Sequence, residues 1–183
     1  MMRMVTLREA KFPEDAEQIV RIDTSFATDT IYTAYRDGDQ IGLRLITLRT
    51  PMTKRFPLDD LVKQDRPWEF STVAVVDDRI CGFLAAGFQV WNRRLTVWHL
   101  YVDSAQRRRG IARLLLDRAQ VYGITKHALT MWLETSSLNM PGVRAYRRLG
   151  FELCGLDTTH YHGTPVSGET ALFFARPIPA RLF

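Results

Sequence analysis

Two cysteines, Cys81 and Cys154, and four histidines are all that 183 residues offer to thiol and imidazole chemistry. Both cysteines lie in apolar stretches without metal-ligand or redox spacing. They read as small core residues of a reducing compartment, not as a disulfide framework. No run approaches the roughly 18 apolar residues that would cross a bilayer. Met1 to Thr6 leads straight into Arg8, Glu9 and Lys11, with no apolar core of a secretory signal. There is no internal repeat, low-complexity tract or obvious linker. Neither charge sign dominates, since 25 Lys and Arg stand against 20 Asp and Glu for a net +5. With 46% hydrophobic and 25% charged residues, disorder and fibrous architectures are excluded. A chain of this length buries roughly 70% of its unfolded surface. The expectation is a cytoplasmic, single-domain protein spanning 1–183.

The order of elements is that of an α/β protein. Arg3 to Arg8 alternates apolar and polar residues and predicts an opening strand. Pro13, with Glu14 and Asp15 after it, predicts a helix start, its apolar side running from Ala16 through Ile19, Val20 and Ile22 to Phe26. Thr30 to Arg36 and Gln40 to Leu48 read as strands joined at Asp37-Gly38. A short helix is expected around Leu58 to Gln64. Ser71 to Val76 and Ile80 to Trp91 make a hairpin with Asp77-Asp78 at its tip, and Leu95 to Val102 adds a strand.

From Arg109 to Tyr122 the period turns helical, with Ile111, Leu114, Leu115, Ala119 and Tyr122 on one side. Ala128 to Thr135 reads as a buried strand. Pro141 to Leu149 reads as a short helix closed by Gly150, and 151–156 and 171–177 as late strands. The strand–helix–strand unit over 95–135 requires one parallel pair with a right-handed crossover in an otherwise antiparallel first half.

The segment from Val102 to Ala112 joins a strand end to a helix start. A helix start carries unpaired N–H groups and partial positive charge, so it readily holds an anion. Gly110 and Ala112 keep that surface bare. Arg107-x-x-Gly110-x-Ala112, with Val102 before it and Leu114-Leu115 after it, resembles the acyl-CoA pyrophosphate loop of the GCN5-related N-acetyltransferase (GNAT) superfamily. About 27 residues beyond Ala112, the stretch Asn139-x-x-Gly142-x-x-x-Tyr146-x-x-x-Gly150-Phe151 resembles that superfamily's second motif. Within the superfamily, Trp91-Asn92-Arg93, Leu133-Glu134-Thr135 and Gly155 to Thr158 followed by Tyr161 resemble the streptothricin acetyltransferase group. Leu133-Glu134, Asn139 and Tyr146 also resemble the ribosomal-protein N-terminal acetyltransferase branch.

The resemblance implies a GNAT fold, with a mixed, mostly antiparallel central sheet flanked by helices and one parallel strand pair splayed for acyl-CoA. Three positions depart from the family pattern. Arg108 stands where Gly is usual, Ser104 where Pro is common and Gly142 where Ala is usual. If position 108 needs positive φ, Arg is strained there by about 1 kcal/mol.

The chemistry implied is acetyl transfer from acetyl-CoA, as cosubstrate, to a primary amine. Freeing an amine of pKa near 10.4 at pH 7 costs about 4–5 kcal/mol, so a base is needed. Glu134, on a strand face with Thr130 and Trp132, is one candidate, and desolvation there would raise its pKa. Pairing with a neighbouring arginine is the plainer alternative. His99, with Leu95, Val97 and Tyr101 on its strand face, is the rival base, or else a hydrogen-bonded core histidine. The resemblance places the Tyr146 hydroxyl near the CoA sulfur as the acid. Asn139 contacts the pantetheine arm, caps the helix, or both. Main-chain groups of Leu100, Tyr101 and Val102 are the expected oxyanion donors, and those of Arg107, Arg108, Arg109, Gly110, Ile111, Ala112 and Arg113 the pyrophosphate donors.

Trp68, Trp91, Trp98 and Tyr161 could wall a substrate cleft, and Asp59, Asp60 and Asp157 could attract a cation. No metal spacing links the four histidines, and the basic clusters lack the interleaved aromatics of a nucleic-acid platform. The acceptor is expected to be a small amine, such as streptothricin. Acetylation of a protein N-terminus or lysine is the alternative, and a non-catalytic acyl-CoA sensor the reading of another class. No nucleic-acid or membrane partner is expected. A homodimer is common in the superfamily, but no interface is specified.

Overall fold

Alternating and continuous apolar runs build the strands. In a computed structural model, residues 4–58, 61 and 65–179 are described. The elements are β1 (Thr6–Glu9), α1 (Ala16–Val20), β2 (Phe26–Asp37), β3 (Gln40–Lys54), β4 (Phe70–Val76), β5 (Arg79–Gln89), β6 (Arg94–Val102), α2 (Ile111–Thr125), β7 (Thr130–Ser136), α3 (Met140–Arg148), β8 (Glu152–Asp157) and β9 (Ala171–Pro177). The chain divides into two compact units. One holds the residues up to Ser25, Arg55–Trp132 and those from Pro177 on; the other holds Phe26–Lys54 and Leu133–Arg176. Strand β7 runs through the division, its first three residues in the first unit and the rest in the second.

In the first unit the strands neighbour one another in the order β1-β4-β5-β6-β7. The β1–β4, β4–β5 and β5–β6 pairs are antiparallel, and β6–β7 is the one parallel pair, joined through α2. The turn from β4 to β5 places Asp77 and Asp78 at φ 49° and 59°, a conformation short acidic side chains tolerate. Ile80 to Gly87 is buried throughout, as befits a strand with neighbours on both edges and cover on its face. Helix α2 packs on β4, β5 and β6, and α1 on β5. The side of α2 that is buried comprises Ile111, Leu115, Leu116, Ala119 and Gly123; Leu114, expected inside, is 40% exposed. Three consecutive leucines fit either of two overlapping stripes, and packing selected the one centred on Leu115 and Leu116.

The second unit has strand order β7-β9-β8 and a separate two-stranded ribbon of β2 and β3. The ribbon pairs from Phe26↔Lys54 to Asp37↔Gln40, well beyond the expected strand ends, around a bulge between Thr28 and Thr30. Phe26, expected on the first helix, begins this ribbon, while α1 stops at Val20. The cause is visible in Asp23 to Ser25, whose backbone and side-chain groups bind the segment 103–107 instead of continuing a helix. Helix α3 packs on β2 and ends at Gly150, φ 85°, the left-handed cap its sequence predicts. Val143 of this helix is buried, as are Phe151, Leu172 and Phe174. Cys81 is buried, but Cys154, expected in the core, is exposed on β8, whose first three residues are all exposed. Most of the short helix expected around Leu58 to Gln64, the pair Asp59-Asp60 and Arg3 lie outside the described residues.

Candidate active site

In the first unit, the chain leaves β6 through a short 3-10 turn, Ser104–Gln106, whose N-cap Asp103 accepts from the Ala105 N–H at 3.0 Å. Arg107 then ties the loop down. Its Nε donates to the Val102 carbonyl at 3.1 Å, and its two terminal nitrogens donate to the carbonyls of Ser25 and Asp23 at 2.6 and 3.1 Å. Asp23 reinforces the tie by accepting from Ser104 Oγ and the Ser25 N–H. The Ser104 hydroxyl first, then the side chain and the N–H of Ser25, hold its carboxyl down to about 2, and the tie therefore survives well into acid. Arg109 donates to Gln106 Oε1.

The loop turns upward at two left-handed residues, Arg108 at φ 62° and Gly110 at φ 78°. The departure at 108 thus carries the strain the sequence predicted. Gly110 caps α2 without a side-chain bond, the first turn holds no acid, and a Cβ at Gly110 would meet nothing within 4 Å. A helix start with no side-chain cap bond, facing open space with the positive end of the dipole, suits a diphosphate. Ile111, Ala112 and Arg113 form that first turn.

The main chain of Leu100, Tyr101 and Val102 forms the end of β6, pairing with Leu84, Phe83 and Gly82 on one edge and neighbouring β7 on the other. His99 is buried among rings, with Trp68 edge-on at 4.8 Å, Tyr101 at 5.8 Å and Phe83 at 5.9 Å. Trp98 is half-exposed, and Trp91, at the turn between β5 and β6, is 86% exposed to solvent.

The second unit gathers the remaining candidates. On β7, Met131, Leu133 and Thr135 face inward, which turns Glu134 to the other face. Tyr161 donates to Glu134 Oε1, and His160 Nε2 lies 4.0 Å from Oε2. Burial pushes the Glu134 carboxyl above the ordinary carboxylate range. The Tyr161 bond and the charges of His160 and Lys54 pull back, and Glu169 adds to the push. The geometry thus gives Glu134 a phenol and an imidazole as partners, where the plainer alternative had an arginine.

The turn that presents His160 and Tyr161 is organised by Asp157, whose Oδ1 accepts from Thr159 N and Oγ1, both at 2.7 Å, and from His160 N at 3.1 Å. Tyr146 lies against Phe151 and Phe174, with burial and the Glu134 charge pushing its phenol up to about 12 against a hydrogen bond with Thr135. Asn139 caps α3, accepting from the Gly142 N–H at 3.0 Å and donating to Thr135 Oγ1 at 2.9 Å. The capping role is thus filled.

Two residues absent from the sequence reading, Lys54 and Glu169, form an ion pair with side chains only 13% and 12% exposed, and Ser136 Oγ donates to the same Glu169 oxygen. His160, which the sequence marks with no metal spacing, also lies beside Glu134. The resemblance and its place among the possible cleft aromatics pointed to Tyr161; nothing local marks the others. Among the described residues no group of three or more His, Cys, Asp or Glu could hold a metal ion. Among them, too, no helix is long and apolar enough to cross a membrane.

Comparison with known proteins follows the same lines. The Acetyltransferase (GNAT) family model matches residues 42–151, a stretch that runs through both units. Streptothricin acetyltransferase of Streptomyces lavendulae is 37% identical over 174 residues, 91% of this chain and 92% of that protein. The crystal structure of a nourseothricin acetyltransferase is 39% identical, with a TM-score of 0.87 over 96% of this chain and 99% of that one. A Bacillus anthracis protein solved in complex with acetyl coenzyme A shares the fold at 20% identity, with a TM-score of 0.77 over 97% and 99% of the two chains. With the anion-ready helix start, the desolvated carboxylate and these likenesses together, the chain belongs to the GNAT family of acetyltransferases.

Proposed function

We propose that the protein acetylates a primary amine of a streptothricin-class antibiotic, with acetyl-CoA as donor and Glu134 as the base. The observation that carries the reading is Glu134 itself, a carboxylate with a raised pKa held by Tyr161 in a chain 37% identical to a streptothricin acetyltransferase. Bound acetyl-CoA supplies an acyl group activated as a thioester. The first-turn N–H groups of α2 hold its diphosphate, supported by the loop that Arg107 fixes. Main-chain N–H groups at Leu100 to Val102 stabilise negative charge on the acyl oxygen as the C–N bond forms, an effect worth about 3–4 kcal/mol per donor.

Glu134 takes the proton the amine loses, and His160, with 44% of its side chain exposed, passes it to solvent. Tyr146, at about 12, keeps its proton against a thiolate of pKa near 8.5. It therefore donates a hydrogen bond to the sulfur as the C–S bond breaks, and the sulfur takes its proton from the solvent pool. Asn139 sets the angle of the helix that carries Tyr146. A cytoplasmic setting accords with the use of acetyl-CoA and with two free thiols.

The test is release of free thiol from acetyl-CoA across a panel of streptothricin, simple diamines and peptides. Turnover on streptothricin above the peptides supports the proposal. Turnover on peptide N-termini with none on small amines overturns it in favour of the protein acetyltransferase reading. CoA binding without thiol release on any amine would leave the sensor.

A further inference from the structure

The ion pair between Lys54, the last residue of β3, and Glu169, just before β9, stands 115 residues apart in sequence and almost wholly out of solvent. Burying two charges costs several kcal/mol per ion before their attraction is counted, so such a pair is weak evidence for stability. Its surroundings suggest another use. Ser136 donates to the Glu169 oxygen that receives Lys54, and Ser136 lies two residues beyond Glu134 on the same face of β7, roughly 7 Å along the strand. The segment that follows is pinned on both sides. Ser136 Oγ accepts from Leu138 N at 3.1 Å, Ser137 N donates to the Thr170 carbonyl at 2.8 Å, and Tyr32 N donates to the Ser137 carbonyl at 3.0 Å.

The charged and titratable groups that act on Glu134 are then Tyr161 and His160 from the turn after β8, Tyr146 from α3, Lys54 from β3 and Glu169 before β9. Of these, Lys54 is the one permanent cation. A lysine free to turn toward Glu134 would neutralise it and compete with a cationic amine for it.

We infer that Glu169 is a positioning residue that sequesters Lys54, holding its ammonium on a carboxylate that Ser136 anchors and thereby keeping the Glu134 carboxylate open to the substrate amine. The consequence for catalysis rests on the reading of Glu134 as the base; the electrostatic claim does not. Neutralising Glu169 leaves Lys54 to favour the ionised form of Glu134, and neutralising Lys54 leaves Glu169 to favour the protonated form. The two changes act in opposite directions, and together they cancel. Fixed charges alone would give these two signs as well; what a merely structural pair would not give is a rise in KM for the amine on loss of Glu169 with KM for acetyl-CoA unchanged.

The experiment is a carbon-13 NMR titration of the Glu134 carboxyl in the full chain, its signal assigned through Glu134→Gln. Glu169→Gln is expected to move the midpoint down and Lys54→Met to move it up, each by roughly half to one pH unit, with the double variant back near the parent. Lys54→Arg, which keeps the cation, leaves it in place. Lys54→Gln, which retains a donor for Glu169, is the milder second variant, and the same upward shift is expected. Absent shifts, or shifts of one sign in both single variants, overturn the inference. The acid limb of kcat/KM is read alongside, and Glu169→Gln also raises KM for the amine several-fold while leaving KM for acetyl-CoA unchanged. Opposite NMR shifts with an unmoved acid limb keep the Lys54–Glu169 inference and overturn Glu134 as the base.

Discussion

Adjacent arginines in the loop before α2 do unlike work. Arg107 spends its guanidinium on three main-chain carbonyls, whereas Arg108 is exposed and held at φ 62°. Arg107→Gln should therefore weaken CoA binding by about tenfold in calorimetry, equivalent to about 1.4 kcal/mol. Arg108→Gly should raise stability by about 0.5–1 kcal/mol in urea unfolding, with CoA affinity kept, because glycine relieves the left-handed strain. Glu134→Gln should cut kcat by roughly 10²–10³ while CoA still binds.

Because burial raises the Glu134 pKa, the folded state holds that proton more tightly than the unfolded chain does. Its stabilising share is complete below the unfolded value and is lost as pH rises through the raised one. The uncharged amide still accepts from Tyr161. Thermal melts at pH 7.5 should accordingly show Glu134→Gln melting above the parent, and a lower melting temperature would contradict the burial argument. His99 is buried among aromatic rings, and His99→Phe is expected to retain kcat within about threefold if Glu134 is the base.

At the scale of elements, α3 shows what a local pattern reveals and what it hides. The spacing of Val143, Tyr146 and Leu149 and the closing Gly150 were legible, since each depends on neighbours within one or two turns. The reason for Gly142 was not legible. A Cβ there would sit 2.3 Å from the Asn139 side-chain nitrogen, so the departure from the family's alanine is coupled to the capping amide. Gly142→Ala should displace that cap and cost about 1 kcal/mol, read as a fall in the urea midpoint at unchanged slope.

The hairpin of β4 and β5 was equally legible, its period of two and its Asp77-Asp78 turn lying within one short stretch. Helix α1 was not, because hydrogen bonds from Asp23 to Ser25 onto residues 103–107 end its pattern early, and no window around residue 20 contains those partners. The length of the β2–β3 ribbon was hidden in the same way, since Pro51 and the bulge at Thr28 interrupt the pattern without ending the pairing.

Over the whole chain, the groups read best were those whose role sits in a contiguous motif, from Arg107 to Ala112 and from Asn139 to Phe151. Those missed, Lys54, Glu169 and His160, are joined to the site only by folding, across separations of up to 115 residues. Of the basic residues, Arg107 is engaged with main-chain carbonyls and Arg148 with its own helix. Ligand binding to the native state should register in the molecule as a whole. CoA at about a hundred times its dissociation constant should stabilise by about 2.7 kcal/mol, a rise of several degrees in the melting temperature.

The account turns most on the grip of the α2 start upon a diphosphate, and calorimetric titration of the full chain with CoA and with pantetheine, which lacks the diphosphate, tests that grip directly. Saturable heat with CoA and affinity for pantetheine lower by about a hundredfold or more are expected. Equal affinity for the two, or no heat with CoA at millimolar concentration, would contradict it.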